Sequence, residues 1–140
     1  MSPRLRRLEL TNNTNILFFY HNGFSTDSFS IQIRIRTDLT TEVLINQNEG
    51  ETDIMLVKLP SEIKDVITVL LGRKSTEYSR KVFDSYIEDL GGGSLQCRFG
   101  DSQILKFQIE EPVTEETLPP LEVELLSLYK ALRDFGLAIK

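Results

Sequence analysis

A chain of 140 residues, 40% hydrophobic and 26% charged, has the length and composition of one domain able to bury a full core without staples. A lone cysteine forms no internal disulfide, and one histidine builds no zinc site. No apolar run approaches the roughly twenty residues of a membrane-spanning helix, so the expected setting is the cytoplasm, with no membrane, cofactor or metal.

Net charge is −5, unevenly spread. From Val82 to Glu124 ten acids face only Arg98 and Lys106, a local net of −8, which leaves the rest of the chain slightly positive. The three arginines of "MSPRLRRLEL" would suit a transit peptide, but Glu9 and the strand pattern behind it point to an ordinary folded start.

In chain order, "NILFFYHN" is apolar at successive positions, the mark of a strand covered on both faces or one whose second face meets a partner. "SFSIQIRIR" alternates cleanly: Phe29, Ile31, Ile33 and Ile35 take one face, and Ser30, Gln32, Arg34 and Arg36 the other. "TTEVLINQ" and "DIMLVKL", joined by "NEGET", complete an antiparallel meander over the first sixty or so residues. Pro60 and Ser61 predict a helix start with Ser61 as N-cap, and Glu62 sits where the helix dipole favours an anion. Ile63, Val66, Ile67 and Leu70 form its buried stripe, and Gly72 its end. Residues 75–90 read as a second helix, with Val82, Phe83, Tyr86, Ile87 and Leu90 on one face.

"SLQCRF" and "QILKFQIE" predict a hairpin turning at "GDS", with Leu95, Cys97, Phe99, Leu105, Phe107 and Ile109 pointing inward. After the polar link "EEPVTEETLPP" a last helix begins near Pro119 or Pro120. It buries Leu121, Leu125, Leu128, Leu132 and Phe135 and ends at Gly136. The fold class expected is α+β: a mostly antiparallel sheet of about six strands, with two or three helices packed on its apolar face and the polar face toward water.

The glycines of "EDLGGGSLQCRFGD" do not make a phosphate cradle, because they lead into a strand and no Gly-Lys-Ser/Thr sequence accompanies them. Gly91 reads as a helix cap, and Gly92-Gly93 relax the start of the strand. Cys97 lies on the apolar phase, where a thiol behaves as a small hydrophobe; a catalytic dyad would need His21 beside it in space. "NQNEGETD" has a calcium-loop flavour, but the bidentate glutamate position holds Val57, so a hairpin fits better. Gln32, Arg34, Arg36, Gln96, Arg98, Lys106 and Gln108 would make a basic face if their strands were neighbours. The aromatics, however, share the buried phase, which argues against a base-stacking nucleic-acid reader.

The layout resembles that of many small bacterial proteins, some of which sit beside toxins as immunity proteins; the likeness is one of arrangement and rests on no motif. The leading expectation is a non-enzymatic protein-binding module, of the immunity or inhibitor type, for a basic partner. Its acidic contact surface would be Glu110, Glu111, Glu115 and Glu116. The alternatives are a small-ligand binder or small enzyme with a pocket between sheet and helices near His21, Tyr20 or Tyr86, and a structural subunit dimerising through residues 16–20.

Overall fold

The alternating segment forms β2 (Phe29–Arg36) in a computed structural model, and the strands around it assemble one antiparallel sheet. Before it comes β1 (Thr14–His21); after it come β3 (Thr41–Gln47), β4 (Gly50–Glu51) and β5 (Met55–Val57). Helix α1 (Ser61–Leu71) and a 3-10 turn at Ser75–Glu77 lead on to β6 (Gly92–Arg98), β7 (Ile104–Glu110) and helix α2 (Pro120–Ile139). The structure describes residues 8–22, 29–47, 50–51, 54–77, 92–110 and 120–139. Among them no helix is long and apolar enough to cross a membrane.

The strand order is β4-β3-β2-β1-β6-β7, and β5 continues the β4 edge by pairing with the other end of β3. The meander expected of the early residues is therefore present, and the later hairpin adds to its β1 side. β1 is an interior strand, hydrogen-bonded to β2 and β6, which accounts for its apolar character on successive residues. Residues 16–20 consequently offer no free edge to a second copy; they present only a face, that of Leu17 and Phe19.

Ile16 and Phe18 of β1, Ile31, Ile33 and Ile35 of β2, Val43 of β3, and Leu95 and Cys97 of β6 are all fully buried on the core side. Leu125, Leu128, Tyr129 and Leu132 of α2 and Ile63, Ile67 and Leu70 of α1 belong to the same continuous cluster. The rings of Phe18 and Tyr129 meet at 5.3 Å. Helix α2 packs on β1 and β2, and α1 packs on α2.

Several local expectations change. The N-cap of α1 is Pro60, whose carbonyl accepts from the N–H groups of Ile63 and Lys64; Ser61 is already helical and caps nothing. Gly72 closes α1 in the right-handed region (φ −75°), without the left-handed turn glycine usually supplies there. Gly136 does not end α2, which runs on to Ile139. A side chain at 136 would press to 2.7 Å from Ile31 Cγ2, so this glycine lets helix and sheet approach. Tyr129 and Leu126, absent from the expected stripe, are fully buried. Of residues 75–90 only Ser75–Glu77 are described, as the 3-10 turn; 78–90, and Gly91, lie outside the described residues.

The glycine run also acquires a physical reason. Gly92 has φ 136°, and a Cβ on Gly93 would overlap the Phe19 carbonyl of β1. Gly93→Ala is therefore expected to cost about 2 kcal/mol or more in urea unfolding. Gly72→Ala, at a right-handed φ with only ordinary contacts, is expected to be neutral or to gain up to about 1 kcal/mol. Equal effects at the two sites would show that close approach to β1 is not what requires Gly93.

Candidate functional site

Strand register decides the question of a thiol nucleophile. Cys97 lies opposite Ile16, and His21 lies opposite Gly92, five residues along β1. At a strand rise of about 3.3 Å per residue that is roughly 17 Å, and the two side chains leave opposite faces of the sheet. Cys97 is fully buried in the core, and burial pushes its thiol well above the ordinary cysteine range. His21 instead packs against Phe19 on the other face, ring to ring at 5.8 Å. At the candidate calcium loop Asn46 pairs with Glu51 and Gln47 with Gly50, and the Asn46 side chain is buried, donating to Ser30 Oγ; Asn48, Glu49 and Asp53 lie outside the described residues.

The second face of the sheet is not the open, water-facing surface expected. β1 intervenes between β2 and β6, so one row across the sheet reads Glu42, Arg34, Leu17, Gln96, Lys106. The stretch before β1 lies on this face. The Leu8 N–H donates to Gln32 Oε1 at 2.8 Å, and Arg34 donates to the Glu9 carbonyl. On this same face Gln32, Glu42, Asn46 and Leu44 are all buried. The covering stretch is aperiodic, which hid it from any reading based on alternation.

Beneath that cover Glu42 takes Arg34 bidentately at 2.8 and 3.1 Å and Arg36 at 2.8 Å. The hydrogen bonds from Arg34, then those from Arg36, hold its carboxyl below the usual glutamate value, against the cost of burial. Arg98 is likewise committed, donating to the carbonyls of Thr14 and Thr11. These guanidinium groups fasten the N-terminal stretch and the sheet together.

Of the acids expected to meet a partner, Glu110 is placed by its backbone as the last residue of β7. Glu111, Glu115 and Glu116 lie outside the described residues. The feature that chain order puts just beyond them is a groove of about 340 Å³ between the helices. Asp65, Val66 and Val69 of α1 form one wall, and Val123, Glu124 and Ser127 of α2 the other. Val66, expected inside, is 37% exposed, and Val69 is 57% exposed. They form a second stripe on α1, three residues apart, beside the buried one of Ile63, Ile67 and Leu70.

An ion-pair clamp lies at the edge of the groove. Arg73, just past α1, binds Glu124 bidentately at 2.9 and 3.0 Å. Its carbonyl accepts from Gly100 N–H at the tip of the β6–β7 hairpin. Asp101 at the same tip accepts from both the hydroxyl and the N–H of Ser75, and the hydroxyl contact above all holds its carboxyl below the usual aspartate range. Helix, turn and hairpin tip are thus tied at one point.

No protein-family profile matches the chain, and no curated protein is significantly similar to it.

Glu42 carries a measurable consequence. A carboxyl whose value is depressed in the folded state adds stability above the ordinary glutamate value, 4.5, and loses it as pH falls through the lower folded value. Glu42→Gln leaves two guanidinium groups without their counter-charge and is expected to cost about 2–3 kcal/mol at pH 7. The difference from the parent chain should shrink steadily as denaturation is repeated from pH 5 toward pH 2. A gap that stays constant over that range would mean the contact is not ionic.

Proposed function

We propose that this chain is a non-enzymatic protein-binding module of the inhibitor type, whose partner presents a basic surface with aliphatic side chains at its centre. The observation that carries the reading is the α1–α2 groove. Two valines of α1 stand open to solvent beside Val123, where a helix surface normally turns polar residues outward. In this reading both helices form one layer over the core face of the sheet, and the groove is the outer surface of that layer.

The acidic link supports the same partner chemistry. Glu110, Glu111, Glu115 and Glu116 directly precede α2, whose first turns supply one wall of the groove. Asp65 adds a carboxylate at the rim. Acids around an apolar centre divide the work of binding: the charges speed encounter with a basic surface, and desolvation of the apolar floor holds the complex. Exposed aliphatics alone would not select a partner; the surrounding charge does.

The division of labour is testable in the kinetics. A partner captured at low ionic strength and identified by mass spectrometry is titrated against two variants. Glu111→Lys, Glu115→Lys and Glu116→Lys together are expected to slow association by about tenfold and flatten its dependence on salt, with little change in dissociation. Val69→Asp is expected to leave the on-rate alone and raise the off-rate by about tenfold or more. An on-rate indifferent to the three reversals, or an off-rate indifferent to Val69→Asp, overturns the assignment of that surface.

A further inference from the structure

The two edges of the sheet are unlike. One is broken into β4, two residues long, and β5, three residues long, each pairing with a different end of β3. Short, interrupted strands are a common way of blunting an edge against other chains. The other edge is β7: seven residues, in unbroken register with β6, with no proline and with Lys106 as its one cation. Among the described residues no strand lies beyond it.

The direction of its backbone groups follows from the hairpin. Phe99 N–H donates to the Gln103 carbonyl, which makes 99 and 103 a hydrogen-bonded pair. In an antiparallel ladder such pairs alternate with non-hydrogen-bonded ones. Leu105, Phe107 and Ile109 therefore turn their backbone groups toward β6, and Ile104, Lys106, Gln108 and Glu110 turn theirs outward.

We infer that β7 is the dimerisation edge of this protein, pairing antiparallel with β7 of a second copy about a two-fold axis at Phe107. That register matches outward groups to outward groups: 104 with 110 and 106 with 108, in both directions, giving about eight inter-chain backbone hydrogen bonds. It also suits the charges. Position 106 lies opposite position 108 of the second copy and diagonal to position 110, which sets a lysine position beside a glutamate position. A slip that centres the axis on residue 106 would set two lysines directly opposite, a destabilising pair. The two sheets become one continuous sheet, and the helical groove takes no part.

Light scattering on the full chain at about 50 µM should give about twice the 16.0 kDa mass of one chain, falling toward one on dilution. Lys106→Glu, which brings two acids together across the axis, should weaken the dimer by about tenfold; adding Glu110→Lys should restore it to within about threefold. Gln108→Pro removes an outward N–H and no bond to β6, so it should yield a single chain with unchanged circular dichroism. A parent chain that stays single at about 50 µM overturns the inference, and so does a dimer indifferent to Lys106→Glu. Should Gln108→Pro fail to fold, the loss and restoration by the two charge exchanges still decide.

Discussion

Everything in this structure is arranged around a strand that cannot touch water on either edge. β1 sits between β2 and β6, and its register with each fixes which residues of those strands face inward. Because Ile16 and Phe18 point to the core, their partners Ile33, Ile35, Leu95 and Cys97 must as well. A slip of one residue on either side would turn every apolar side chain of the neighbour outward. Gly93 belongs to the same constraint, since only a residue without a side chain lets β6 lie this close to Phe19.

The charged residues do a second, separate job, which is to tie irregular segments to that frame. Arg34 and Arg36 converge on Glu42 under the N-terminal stretch, Arg98 holds the carbonyls of Thr11 and Thr14, and Arg73 joins the end of α1 to α2. The N-terminal residues that cross the sheet have no apolar period of their own with which to bind the core. Their attachment comes from hydrogen bonds to charged groups, which are worth more than neutral ones where water is partly excluded. A buried carboxylate between two arginines is costly to assemble and costlier to leave half-made, so it fixes one arrangement of β2, β3 and the chain that crosses them.

How legible all this was depended on periodicity. The strands at 29–36, 92–98 and 104–110 and the helix from Pro120 were readable because apolar and polar residues repeat there with a single period. β1 was readable as a strand but not as the middle one, since a doubly apolar run fits an interior strand and a partner-facing strand equally well. Glycine misled at 136, where the same residue that ends helices also permits close packing. Val66 was counted as core because positions 63, 66, 67 and 70 all fit a helical stripe; only the placement of α2 decides that 66 looks outward. Glu42 carried no local signal at all. Its importance comes from Arg34 directly across the ladder and Arg36 diagonally beside it, and register between strands is not written in either strand alone.

The balance of charge then follows from where the cations are spent. Every described arginine donates to an acceptor of its own chain: Arg34 and Arg36 to Glu42, Arg73 to Glu124, Arg98 to carbonyls and Arg133 to Asp134. These arginines are thereby engaged within the chain, while the segment from Val82 to Glu124 holds ten acids against two bases. Charge of one sign concentrated in a stretch of sequence acts at the range of a Debye length, before any contact is made. Val66 and Val69 stand exposed beside the groove, and among the described residues no strand pairs with the outer side of β7. The association proposed at either place would draw on the same two quantities that govern the fold, matched register and compensated charge.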